Sequence, residues 1–155
     1  MKKILFRFLT ICCLLVLTAC GGGGSNYDDS VTPKLGDTVI TEDFEITLIS
    51  YTLGKAISAT EDYQDLIYLD VKIKNVSDKA SRYNTNKFTI YGPNSTKIRP
   101  ISGSKYSTSV SNLESIRPNG VASAQMIFPF LGYGTYYIEF AGINGIVTAE
   151  IDIKE

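Results

Sequence analysis

The chain has 155 residues, a formal charge of −1 at pH 7, no histidine, no tryptophan and three cysteines. Without histidine, triads of Ser or Cys with His and His-bearing zinc sites are excluded, and a balanced charge leaves no basic face for nucleic acid. The length suits one domain, which can bury roughly two-thirds of its unfolded surface without staples.

Along the chain, Lys2, Lys3 and Arg7 precede an apolar run from Phe8 to Leu17 that only Thr10 interrupts. A basic start, a short apolar middle and small residues before a cut are the marks of a secretory signal peptide. The run is too short to span a bilayer, which takes about 20 apolar residues. Its end, Leu17-Thr18-Ala19-Cys20, resembles the bacterial lipobox. That resemblance implies removal of residues 1–19, diacylation of the Cys20 thiol, and attachment to the cell membrane facing outside the cytoplasm. Acyl chains bury with about 0.8 kcal/mol per methylene, and two chains hold stably where one does not.

Processing leaves 12 basic and 16 acidic residues, a formal charge of −4. Cys12 and Cys13 leave with the signal and Cys20 becomes a thioether, so no disulfide is expected. Residues 20–34 begin CGGGGSNYDD and read as a flexible tether with a random-coil reach of roughly 20 Å.

Residues 35–155 are expected to form the folded domain, with alternating apolar and polar positions broken by turn residues. Phe44, Ile46 and Leu48 share a phase, and Ile49, Tyr51 and Leu53 take the other, which predicts a bulge near Leu48–Ser50 or a strand crossing between sheets. Ile67, Leu69, Val71 and Ile73 alternate with Tyr68, Asp70, Lys72 and Lys74. Residues 56–64 could hold a helical turn or two. Phe88 and Ile90 belong to a short strand, and Pro100 marks the stretch from Ile98 to Ile101 as an edge. The polar, serine-rich segment Ser102–Asn112 is expected to be a surface loop. Arg117-Pro118-Asn119-Gly120 is a β-turn by residue type. Ala122, Ala124, Met126, Phe128 and Phe130 line one strand face, and Tyr136, Ile138 and Phe140 line the next. Gly142-Ile143-Asn144-Gly145 turns into a last strand with Val147, Ala149, Ile151 and Ile153. Seven or eight short strands of this kind predict an all-β, antiparallel sandwich.

The stretch Tyr68 to Lys79, YLDVKIKNVSDK, resembles the strand, Lys-Asn and Ser-Asp-Lys turn of bacterial exported lipoprotein domains of unknown function. Those domains have an immunoglobulin-like sandwich similar to a secreted mycobacterial immunogenic antigen. Arg117–Gly120 followed by Met126-Ile127-Phe128-Pro129 is similar to the group's Pro-x-Gly turn and its strand ending in Phe-x-Pro. Leu35-Gly36-Asp37-Thr38 with Phe44–Leu48 fits its first hairpin. The resemblance runs from Leu35 to Lys154. It implies an immunoglobulin-like β-sandwich outside the cytoplasm and brings no catalytic residues.

Several residues are candidates for function. Tyr68, Tyr91 and Tyr137 fall in phases opposite the core; Tyr51, Tyr63, Tyr106 and Tyr133 add to the tyrosine content. Exposed tyrosines give large contact area at little entropic cost, suited to a protein partner or to stacking on a cell-wall glycan. Sheet propensity alone also places tyrosine there. Glu61, Asp62 and Asp65 gather carboxylates that a calcium ion could use, but the six to eight oxygens such an ion takes are not supplied by any EF-hand spacing. A solvated loop is the default reading of these acids. Ser104, Ser107, Ser109 and Ser111 beside Lys105 lack the desolvated setting a Ser-Lys nucleophile needs. No catalytic residue, cofactor or metal site is therefore assigned, and a carboxylate-dependent enzyme or a plain membrane-proximal spacer are the remaining alternatives to a binding module.

Overall fold

A computed structural model describes residues 32–57, 65–103 and 105–155. The expected signal peptide, the lipobox with Cys20, most of the tether, and Glu61 and Asp62 lie outside these residues, as does most of the segment given a helical turn.

Among the described residues eight strands form: β1 (Thr38–Ile40), β2 (Phe44–Lys55), β3 (Asp65–Asn75), β4 (Phe88–Tyr91), β5 (Lys97–Ile98), β6 (Val121–Pro129), β7 (Gly134–Gly142) and β8 (Gly145–Ile153). They build two antiparallel four-stranded sheets, ordered β1-β2-β3-β6 and β5-β4-β7-β8. The only helical pieces among the described residues are two 3₁₀ turns, Thr85–Lys87 and Val110–Asn112.

Alternation drives the architecture. Inward side chains of the first sheet (Phe44, Ile46, Leu48, Ile67, Leu69, Val71, Ile73, Met126, Phe128) meet those of the second (Phe88, Ile90, Tyr136, Ile138, Phe140, Ile151, Ile153) in one buried layer. Each fully buried side chain of this kind contributes about 1.5–3 kcal/mol. The slip in phase on β2 is a bulge: Leu48 pairs with Val71 but Ser50 pairs with Asp70. Ile49 is the extra residue and is exposed, and Tyr51 returns to the core side, where its hydroxyl accepts from the Lys154 N–H at 3.1 Å. Pro100 follows β5, the outermost strand of the second sheet.

Two turns beside β3 share one residue. Asn75 is fully buried at the strand's end, and its side-chain nitrogen donates to Lys79 O at 2.8 Å and Ile116 O at 2.7 Å. Its side-chain oxygen accepts from the N–H and the hydroxyl of Ser77 at 2.9 and 2.7 Å. The Asn75 backbone exchanges bonds with the Arg117–Gly120 turn, donating to Gly120 O at 3.0 Å and accepting from Asn119 N at 2.9 Å. The Lys-Asn and Ser-Asp sequence is thus a capping device, and Asn75 is too deeply enclosed to act on the surface.

Ser102–Asn112 differs from the loop expected of its composition. It runs along the free edge of β6, where Ile101 N donates to Ile127 O at 2.7 Å and Gln125 N donates to Thr108 O at 2.8 Å. Val110 enters the main core, and Tyr106 folds over the outside of the first sheet to enclose Leu66 and Ile127. Tyr106 and Val110 carry too little apolar content to show above eleven mainly polar residues. Covering β6 in this way removes an open strand edge.

Candidate functional site

The two outer sheet faces are built differently. On the first sheet, Tyr68, Asp70, Lys72 and Lys74 point outward from β3, as alternation requires. Most of that face is engaged by the protein itself. Asp70 accepts from Ser50 Oγ at 3.0 Å and from Gln125 Nε2 at 2.9 Å, while the Gln125 carbonyl accepts from Thr108 Oγ1 at 2.7 Å. Lys74 pairs with Glu45 at 2.9 Å. The Tyr68 ring lies 6.5 Å from the Tyr106 ring, and its hydroxyl donates to Lys55 O at 2.9 Å.

On the second sheet no outward side chain of β4, β5, β7 or β8 is buried. The register sets Lys97 beside Tyr91, Tyr91 beside Tyr137, and Tyr137 beside Glu150. One row therefore crosses all four strands with two tyrosines at its centre. The next row aligns Thr89, Glu139 and Thr148, and another sets Thr135 beside Asp152, with a 2.6 Å hydrogen bond between their side chains. Desolvation and then the neighbouring Glu139 carboxylate, which also hydrogen-bonds it, raise the Tyr91 hydroxyl above its ordinary pKa. Tyr91 is therefore a neutral donor at physiological pH.

The three tyrosines singled out in the sequence do not share a surface. Tyr91 and Tyr137 are direct cross-strand neighbours, whereas Tyr68 belongs to the other sheet and is half-buried beside Tyr106. Alternation reports which side of its own strand a residue occupies, and sheet membership depends on strand order. Of the acidic group, Asp65 opens β3 and forms an ion pair with Lys55 across the β2–β3 ladder. Among the described residues, no three His, Cys, Asp or Glu side chains gather as metal ligands. Of the serines beside Lys105, Ser109 is buried and spends its hydroxyl on the loop, accepting from Ser111 Oγ at 3.0 Å.

Tyr83, Tyr136 and Tyr106 are tyrosines with structural roles. Tyr83 is buried between Phe44 and Phe88, with ring centroids 5.3 and 6.1 Å away. Its hydroxyl has no hydrogen-bond partner among the described residues, and burial raises its pKa far above the ordinary value. Tyr136 shapes the β6–β7 connection: its hydroxyl accepts from Leu131 N at 2.7 Å and donates to Gly132 O at 2.9 Å. Tyr106 accepts from Ile57 N at 3.2 Å, clipping the end of β2 to the covering segment.

Residues 33–131 match the family described as Domain of unknown function (DUF4352), and the chain belongs to that family. Among solved structures it is similar to the yjhA protein of Bacillus subtilis, at 11% identity and a TM-score of 0.60, covering 79% of this chain and 100% of that one. It is similar as well to the secreted protein MPT63 of Mycobacterium tuberculosis, at 9% identity and a TM-score of 0.59, over 79% of this chain and 97% of that one. A candidate lipoprotein of Bacillus subtilis, ycdA, matches at 19% identity and a TM-score of 0.57 over 76% of this chain, which spans only 39% of that protein. At these identities the likeness establishes the β-sandwich fold. No curated protein sequence matches. The structural neighbours thus include a secreted protein and a candidate lipoprotein.

Proposed function

We propose that this protein is a lipid-anchored module outside the cytoplasm that binds a protein partner through the outer face of the β5-β4-β7-β8 sheet. The observation that carries the reading is the contrast between the two faces. The first sheet spends its outer face on Tyr106, Thr108 and its own polar ladder, while the second leaves the Lys97–Tyr91–Tyr137–Glu150 row uncovered by any described segment. Two adjacent tyrosines supply broad, rigid contact area, and a lysine and a glutamate at the row's ends give it polarity and therefore register. Anchoring rests on the lipobox residues Leu17–Cys20 and on the extracytoplasmic character of proteins sharing this fold.

A cell-wall glycan is the second reading, favoured by the same tyrosine pair flanked by the carboxylates Glu139 and Glu150, since sugar rings stack on aromatic faces while their hydroxyls seek acceptors. Two experiments test the proposal. Fatty-acid labelling of the full-length protein in bacterial cells is expected to be lost in Cys20→Ser; labelling that survives overturns the anchor. Capture of envelope proteins on the immobilised domain is expected to yield one dominant species, absent with Tyr91→Ala/Tyr137→Ala. Retention of wall fragments alone, competed by soluble muropeptides, would move the assignment to the glycan.

A further inference from the structure

The path of the chain into β1 fixes the end of the sandwich at which the described residues begin. β1 runs antiparallel to β2, with Thr38 beside Thr47, and Gly36 N donates to Leu48 O at 2.6 Å. Further back, Pro33 O accepts from Glu150 N at 2.8 Å. Stepping back from Thr38 to Thr32, the chain therefore heads toward the end where β2 and β8 finish, β3 begins, and β6 connects to β7. Twelve residues, 20–31, separate this exit from the expected lipid on Cys20, and a chain of that length spans at most about 40 Å. A domain held so short a distance from a bilayer meets it repeatedly.

That end carries apolar side chains that do not enter the core. Leu53 and Ile57 project at the end of β2, and Leu131 and Tyr133 project from the β6–β7 connection, with exposures from 40% at Leu131 to 60% at Ile57. The connection is not slack. Tyr136 pins Leu131 N and Gly132 O, Phe130 and Tyr133 meet edge to face at 5.1 Å, and a β-carbon at Gly92 would touch the Leu131 side chain at 3.2 Å. Leu131 and Tyr133 are therefore presented outward by a braced loop. Exposed Lys34 and Lys154 flank the same end together with exposed Asp152 and Glu155, and Lys55 is paired with Asp65. Aliphatic side chains with a tyrosine at their margin and lysines around them are the composition that settles at a membrane–water interface.

We propose that this end, through Leu53, Ile57, Leu131 and Tyr133, rests on the surface of the bilayer to which Cys20 is attached, fixing the domain upright with the β7–β8 hairpin pointing away. The proposal rests on the lipid-anchored reading given above. The opposite end provides its own control. Ile143 and Ile146 are 67% and 71% exposed at the far hairpin, so apolar exposure alone would drive either end to lipid, and only the tether's exit distinguishes them.

Because the natural sequence has no tryptophan, a single one reports on its own site. The full-length lipidated protein, as Tyr133→Trp or Ile143→Trp, would be reconstituted into phosphatidylcholine–phosphatidylglycerol vesicles with or without brominated acyl chains. The Tyr133→Trp reporter is expected to be quenched several-fold by the brominated lipid and shifted to the blue, while the Ile143→Trp reporter is unaffected. If circular dichroism shows that Tyr133→Trp has lost its sheet signal, Leu131→Trp takes its place. Vesicle flotation with no quenching at position 133 would overturn the docked end and leave the anchor standing. Equal quenching at 133 and 143 would overturn it as well, since the domain would then have no fixed orientation. A protein that does not float with vesicles would remove the anchor and the docking together.

Discussion

The Asn75 side chain donates a 2.7 Å hydrogen bond to the carbonyl of Ile116, joining the end of β3 to a segment 41 residues further along. The same amide holds Lys79 O, and its oxygen holds Ser77, so both functional ends of one side chain are used in a site without solvent. Truncating it removes four hydrogen bonds at once and leaves the buried Ile116 carbonyl with the Ser81 N–H as its one remaining donor among the described residues. Asn75→Ala is expected to lower stability by about 3 kcal/mol, read as a fall in the urea midpoint with an unchanged slope.

Tyr83 presents the opposite case, a buried hydroxyl with no partner among the described residues. Removing an unsatisfied polar group while keeping the ring's volume is favourable, so Tyr83→Phe is expected to gain about 1 kcal/mol. The residue also sets a pH dependence. Burial holds its folded pKa far above the ordinary 10. Unfolded Tyr83 loses its proton near pH 10 while folded Tyr83 keeps it, so the unfolded state is favoured as pH rises. Stability is expected to be level in this respect below pH 10 and to fall above it. Tyr83→Phe should lack that component of the decline in denaturant titrations from pH 9 upward.

The Arg117–Gly120 turn depends on two backbone requirements. Asn119 has φ of 59°, a left-handed conformation that asparagine tolerates and β-branched residues resist. A β-carbon on Gly120 would sit 2.8 Å from the Arg117 carbonyl oxygen and 3.0 Å from an Ile116 methyl carbon. Gly120→Ala is expected to cost about 2 kcal/mol through overpacking, and Asn119→Gly to be close to neutral. Thermal melts of the two variants distinguish a conformational requirement from a steric one.

How much of this was legible varied with the range of the information. The strands on either side of the core could be read because their pattern is local: Ile67, Leu69, Val71 and Ile73 carry their periodicity within seven residues. The bulge at Ile49 was visible as a slip in phase, and the Arg117–Gly120 turn by its residue types. The covering segment was not legible, since Tyr106 is one aromatic among serines and its partners Leu66 and Ile127 are distant in sequence. A signal existed: Leu66 and Ile127 are apolar on the polar phase of their strands, and two such exceptions facing the same side imply something that covers them. Sheet membership was likewise hidden. Nothing in the alternation around Tyr68, Tyr91 and Tyr137 reveals that only the last two are neighbours.

Tyr106 is the side chain on which the covering segment turns. Replacing it by alanine removes a ring from Leu66, Ile127 and Tyr68 and the acceptor for Ile57 N. Tyr106→Ala is expected to cost about 3 kcal/mol, as for other buried aromatic truncations. It should also open Ser102–Asn112 to proteolysis under native conditions, which mass spectrometry of limited digests would map. Cleavage elsewhere first would mean that the segment is held by its backbone bonds to β6 rather than by the ring.

The partner face is tested most directly by placing a photo-reactive phenylalanine analogue at position 137 of the full-length protein in bacterial cells lacking the native copy. The proposed function predicts one dominant protein adduct after illumination, lost with Tyr91→Ala, the cross-strand neighbour, and retained with Tyr68→Ala on the other sheet. No adduct above background, or an adduct indifferent to Tyr91→Ala, would contradict a binding role for this face.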